Sequence, residues 1–131
     1  MTIEVTRQAI ERMMAEAARA HPRECCGLLL GAGERIAAIR PAVNVHPEPA
    51  RFFEIDPQAL IDAHRAARSG GAQLVGYYHS HPLGPPEPSA TDRAQATGDG
   101  RVWAIIGHQT IRLWRDTKQG FEPLSYTTID G

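Results

Sequence analysis

Four prolines and one glycine fall within the seven residues Pro82–Pro88, and this segment governs what the chain around it can become. Proline fixes φ and lacks a backbone donor, so neither a helix nor a paired strand runs through such a stretch. An element before it must stop, and an element after it must start afresh. The run before it, Gln73–Ser80, is rich in Val and Tyr and reads as a strand. The residues after it, Ser89-Ala90-Thr91-Asp92, read as the start of a short helix with Ser89 as its cap. The prolines are thus expected to hold a strand end and a helix start in one fixed relation.

Periodicity supplies the remaining elements. Ile3–Val5 is a short strand and Thr6 a helix N-cap, after which Ile10, Met13, Met14 and Ala17 repeat at helical spacing as far as His21-Pro22. Cys25–Gly31 and Arg35–Arg40 are predicted as strands around a Gly31-Ala32-Gly33 turn, and Phe52–Ile55 as another short strand. Asp56-Pro57 opens a helix with Leu60, Ile61, His64 and Ala67 on one face, which ends at Gly70-Gly71. Arg101–Ile106, Thr110–Arg115 and Phe121–Thr127 are expected as closing strands. Alternating elements with a late run of strands predict a single mixed α/β (α+β) domain over residues 1–131.

The composition excludes several classes of partner. Net charge is −1 and Lys and Arg are scattered, so neither nucleic acid nor a membrane surface is expected as a partner. No apolar leader opens the sequence, and the longest apolar stretch, Cys25–Ala32, is too short to span a bilayer. The two cysteines, Cys25 and Cys26, are adjacent, with Cα atoms about 3.8 Å apart, closer than ordinary disulfide geometry accepts. They read as reduced strand residues without a motif for thiol catalysis, and the expected location is cytoplasmic.

The chemistry gathers at the edges of the proline segment. Residues two apart on a strand share a face, so His79 and His81 are placed to converge on one ion, and Asp92 on the following helix would complete a His₂Asp set with one open position. That donor set suits catalytic Zn²⁺. Each half also has a plain explanation: His-x-His as two surface histidines, and Ser-x-x-Asp as a helix cap. The conjunction across a stiff loop favours the metal. Other His-x-His enzymes fit poorly. A barrel amidohydrolase needs a longer chain, a cupin would be all-β, and no Pro-Cys-x-x-Cys deaminase signature occurs. For a general base the residues alone leave Glu24, Glu54 and Glu87 open, with Glu87 in the proline loop nearest the histidines.

The spacing His-x-His, seven residues, Ser, two residues, Asp, met by His79, His81, Ser89 and Asp92, resembles the JAMM motif of the MPN-plus metallopeptidases. The segment from Pro22 to Gly31, with Glu24-Cys25-Cys26-Gly27 inside it, resembles the stretch that carries that family's catalytic glutamate. Phe52-Phe53-Glu54-Ile55-Asp56 is similar to its bacterial members. The resemblance implies a cytidine-deaminase-like sandwich with a curved mixed sheet flanked by helices. It implies one Zn²⁺ per chain on His79, His81 and Asp92 with water as fourth ligand, Glu24 as general base and Ser89 as oxyanion donor. It further implies cleavage after a C-terminal Gly-Gly tail. The absence of room for long insertions points to the compact prokaryotic members, whose partner is a ubiquitin-like sulfur-carrier protein or its C-terminal adduct. Two rival functions are a non-catalytic MPN scaffold and a zinc amidase for a small molecule.

Overall fold

The computed structural model describes residues 2–131. Strand β1 (Thr2–Thr6) leads into helix α1 (Arg7–Ala20), whose first turn is capped by the Thr6 hydroxyl accepting from the Ala9 N–H at 3.2 Å. The hairpin β2 (Cys26–Ala32) and β3 (Arg35–Ala42) follows, then α2 (Pro57–Arg68), β4 (Gln73–His81), α3 (Ala90–Gln95), and the meander β5 (Val102–Gly107), β6 (Thr110–Thr117) and β7 (Gly120–Ile129). The mixed α/β architecture is the one expected. Among the described residues no helix is long and apolar enough to cross a membrane.

The sheet order is β1-β3-β2-β4-β5-β6-β7, and β1 pairs in parallel with both β3 and β7, which closes the sheet into a barrel. The pair β4–β5 is also parallel, and the remaining neighbours are antiparallel. Helix α1 packs on one face of the sheet, where Ile3, Val5, Met13, Leu29, Ile36, Tyr78 and Leu113 are fully or almost fully buried. Each such side chain contributes about 1.5–3 kcal/mol on burial. On the other face, α2 covers Leu28 and Leu30 through Ala63, and Trp103, Ile105 and Trp114 form a second cluster with Phe53 and Phe121. Strand β4 is therefore buried from both sides, and its C-terminal end is held rigidly.

Three local expectations are corrected. The first hairpin turns at Gly33-Glu34, because a bulge between Leu30 and Gly31 carries β2 on to Ala32 and Gly33 supplies the positive φ of 58°. Phe52–Ile55 is an irregular segment with one bridge, Asn44 to Ile55, because the Asn44 side chain supplies hydrogen bonds that a strand neighbour would have made. Helix α2 buries Ala63, while Ile61 and His64, placed by the pattern on its apolar face, are exposed. The stripe α2 turns inward is centred on Ala63 with the half-buried Leu60 and Ala67, narrower than the apolar pattern suggested.

Candidate metal centre

The end of β4 delivers the two histidines to one side, as strand alternation requires. His79 Nε2 and His81 Nε2 lie 3.1 Å apart. Each also approaches Asp92 Oδ2, at 3.1 Å from His79 and 3.2 Å from His81. The three donors form a nearly equilateral triangle. With Zn–N and Zn–O bonds of about 2.0–2.1 Å, tetrahedral coordination separates ligand atoms by about 3.3 Å, so the spacing fits such an ion. Hydrogen bonds serve the triangle less well, since two imidazole nitrogens and one carboxylate oxygen face a common point, which a cation satisfies at once.

The cap of α3 aims the third donor. Ser89 Oγ accepts from the Asp92 N–H at 3.0 Å, and Asp92 Oδ2 accepts from the Ser89 N–H at 2.9 Å. The plain capping reading and the metal reading are thus one arrangement: the capping box turns the Asp92 carboxylate back toward the histidines. The ring of His81 is fixed by Nδ1–H donating to the Pro85 carbonyl at 2.9 Å, which leaves Nε2 as the lone-pair donor. His79 is held by packing. Phe53 stacks on it with centroids 4.2 Å apart and Trp103 meets it edge-on at 5.8 Å, while its buried Nδ1 has no partner among the described residues.

Electrostatics agree with a ligand set. Burial pushes the Asp92 carboxyl up, but His79, His81 and the Ser89 N–H more than reverse this and hold it well below the usual carboxylate range. Burial lowers the His79 pKa against the pull of Asp92, favouring the neutral imidazole that a metal needs. For His81, burial is outweighed by Asp92, the Pro85 carbonyl and Glu24, so it holds its proton above the ordinary value in the metal-free site. A binding cation must displace that proton.

Glu24 reaches the same place by long-range pairing. Cys26 lies opposite His79 in the β2–β4 register, and the Cys25 N–H donates to Ser80 Oγ at 2.9 Å. Ser80 therefore points away from the metal donors and fastens the segment before β2 that carries Glu24. The Glu24 N–H donates to the Pro49 carbonyl at 2.7 Å, and its own carbonyl accepts from Asn44 Nδ2 at 3.0 Å. Its side chain is buried, 7% exposed, and burial pushes its pKa up to about 8, with His81 opposing and Asp92 adding to the rise. Glu87 is excluded from this cluster: it is exposed and faces Arg112 at 3.8 Å. Glu54 is exposed as well. Burial raises Cys25 to about 11 and Cys26 to about 12, leaving both thiols protonated and poor nucleophiles.

Asn44 and Trp103 had no distinguishing spacing in the sequence, and Phe53 stood out only within the segment similar to the family's bacterial members, yet all three support the site. The Asn44 amide donates to the Glu24 and Phe52 carbonyls at 3.0 Å each and accepts from the N–H groups of His46 and Glu54 at 3.1 Å each. The proline loop is seated on β5 and β6: Trp114 Nε1–H donates to the Pro86 carbonyl at 3.1 Å, and Gly107 lies directly beneath the loop. A Cβ at Gly107 would come within 2.5–2.7 Å of Gly84 O, Pro85 C and Pro86 N. Gly107→Ala is expected to lift the loop, weakening zinc affinity about tenfold or more and lowering the melting temperature by several degrees. Competition with a chromogenic chelator reads the first effect and calorimetry the second; parent-like values in both would break the proposed coupling.

Comparison with known proteins agrees with the geometry. The family described as prokaryotic homologs of the JAB domain matches residues 6–117. A desampylase from Haloferax volcanii is 40% identical over 109 residues, covering 79% of this chain and 77% of that protein. A probable TtuB-protein conjugate cleaving protease from Thermus thermophilus is 38% identical over 115 residues, covering 87% and 76%. A solution structure of a Desulfitobacterium hafniense protein superposes with a TM-score of 0.86 at 29% identity, covering 99% of this chain and 94% of that one. With its fold, its His₂Asp triangle and this match over most of its length, the chain belongs to the prokaryotic JAB family, the JAMM/MPN group.

Proposed function

We propose that this chain is a cytoplasmic zinc peptidase or isopeptidase that cleaves the bond after the C-terminal Gly-Gly of a ubiquitin-like sulfur-carrier protein, releasing cysteine or another adduct. The observation that carries the reading is the His79–His81–Asp92 triangle, 3.1–3.2 Å on each edge, with the buried Glu24 carboxyl coupled to it. His79, His81 and Asp92 would hold the ion. Bound there, zinc supplies Lewis acidity, which polarises the scissile carbonyl and makes water acidic enough to attack at neutral pH.

The chain's own residues account for the rest. Glu24 takes the proton of the attacking water and delivers it to the leaving amine, which departs poorly unless protonated. Burial raises the Glu24 proton affinity in the metal-free site, to about 8; a cation held by the neighbouring donors would lower it, leaving a carboxylate able to accept that proton at neutral pH and hand it on. The oxygen of Ser89 already serves the Asp92 N–H, so the hydroxyl proton remains free to donate to the developing oxyanion. Phe53 and Trp103 surround His79 and keep water from its inner face. The relatives named for conjugate cleavage support the substrate class.

The test offers zinc-loaded protein a sulfur carrier extended by one residue beyond Gly-Gly, with intact mass as the readout. Loss of that residue, abolished by a chelator and restored by zinc, is the expected result. One bound zinc with no cleavage would discard this substrate, and failure to bind zinc would leave the chain a scaffold.

A further inference from the structure

Helix α3 has one buried residue, Asp92, and the rest of it is exposed or half-buried. A helix of 6 residues does not hold its shape alone, and this one turns no apolar stripe toward the sheet. Its ends must therefore fix the carboxylate that it carries. Before α3, the Pro86 carbonyl accepts from Trp114 Nε1–H at 3.1 Å. After it, the Ala96 N–H donates back to the Asp92 carbonyl at 3.0 Å. The next two N–H groups both donate to the side chain of Asp116, Thr97 to Oδ2 and Gly98 to Oδ1, at 3.0 Å each. The backbone of the same residue continues the grip. The Gly100 N–H donates to the Asp116 carbonyl at 2.8 Å, and the Asp116 N–H donates to the Arg101 carbonyl at 3.0 Å.

Trp114 and Asp116 are two apart on β6 and both are buried, so their side chains leave one face of the strand. Trp114 stands opposite Trp103, whose ring meets His79 edge-on, which makes this the face of the metal donors. Packing does little for the segment after α3. A cavity of about 450 Å³ borders Gln95, Thr97 and Asp99, and another of about 440 Å³ borders Ala96, Thr97 and Gly98. Asp116 lines both. The choice of side chain is specific too. A carboxylate offers two acceptor oxygens in a fork, whereas asparagine offers one and turns a donor toward the second N–H.

We propose that Asp116 is a positioning residue for the metal centre, paired with Trp114 as two anchors on one strand face that set the Asp92 carboxylate against His79 and His81. The proposal rests on the zinc site described above. Strand β6 is paired on both sides, with β5 and β7, and a helix without apolar support takes its position from that strand. Asp116 acts through the end of α3 and not on the ion.

The test compares Asp116→Asn and Trp114→Phe with Ile36→Val, a core control on the α1 face. All three should melt below the parent. In chelator, the Ser89 amide proton, which donates to Asp92 Oδ2, reports the carboxylate by NMR from the far end of α3. It should move in Asp116→Asn and keep its parent position in Ile36→Val. Competition with a chromogenic chelator should show zinc affinity reduced about 10–100-fold in each anchor variant, the effect of losing a group that orients a ligand, and unchanged in the control. With Co²⁺ as the probe, the visible absorption of Asp116→Asn should differ from that of the parent. A lower melting temperature with a parent-like Ser89 amide would make Asp116 a plain loop clamp and overturn the proposal, and parent zinc affinity in either anchor variant would break the pairing. A parent chain that binds no zinc would sink the zinc reading instead, while the Ser89 amide in the chelated protein would still decide whether Asp116 sets Asp92.

Discussion

Glu24→Gln should reduce carrier cleavage about 10²–10⁴-fold at neutral pH while leaving one zinc per chain, the size of effect associated with losing a positioned general base. The same substitution should stabilise the metal-free protein at high pH. In the fold the Glu24 pKa is about 8, against an ordinary value of 4.5. Between those pH values the folded protein keeps a proton that the unfolded chain has released, so stability falls as pH rises through this window. Below it, both states are protonated and the variant should melt close to the parent. Above pH 8 the parent must bury a charge that glutamine lacks, and the variant should melt higher by roughly 5 °C or more. Calorimetry in chelator at pH 4.5 and 8.5 separates the cases. A melting difference that does not change with pH would show that Glu24 is not strained by burial, and undiminished cleavage by the variant would move the base elsewhere.

Asp92→Asn should empty the metal site without unfolding the helix that presents it. Structural zinc affinities of about 10–16 kcal/mol, shared over three or four ligands, assign each roughly 3–4 kcal/mol, or 10²–10³ in affinity. Asparagine can still accept from the Ser89 N–H, so the cap at α3 survives while the charge facing His79 and His81 is lost. Asp92→Ala loses both. The expected order in bound zinc is therefore parent far above either variant, and in thermal stability of the chelated protein Asn above Ala by about 1 kcal/mol. Zinc retention by Asp92→Asn at parent affinity would remove Asp92 from the ligand set. The negative charge of Asp92 also makes a pH-dependent contribution in the metal-free state. Its carboxyl is held well below the usual range, so this stability is present above about pH 4 and is lost as pH falls through the folded value.

The triangle of candidate donors was legible in the sequence because its geometry is local. Two residues on one strand, a proline strap and a helix cap fix His79, His81 and Asp92 without reference to the rest of the chain. Glu24 was different: from residues alone it stood level with Glu54 and Glu87, and the resemblance to JAMM enzymes selected it. Its position depends on β2 lying beside β4 in a register that sets Cys26 opposite His79, a pairing that no periodicity within either strand encodes. Asn44 escaped notice for the same reason, since its four hydrogen bonds join segments that only the fold brings together. The strand predicted at Phe52–Ile55 followed from aromatic β-propensity, which describes a side chain's fit to a pleated surface and not the presence of a neighbour. The closure of the sheet was equally invisible, because alternation says which face a residue takes and nothing about which strand sits beside it.

That closure has a consequence for how the protein is made. Five residues of β1, from Thr2 to Thr6, pair with Ser125–Ile129 at the other end of the chain. During synthesis β1 emerges before the other strands, and β7, one of its two neighbours, exists only after β2 to β6 have been made. The α1 face and the β2–β3 hairpin can collapse early, but the last seam of the barrel is zipped only after β7 has left the ribosome. The metal donors belong to β4 and α3, inside the part that precedes it. A nascent chain therefore carries the proposed zinc ligands in an unsealed sheet, where folding is governed by the slowest, most distant contact. Substitutions at the β1–β7 seam should accordingly lower the yield of folded enzyme more than the activity of those molecules that complete it.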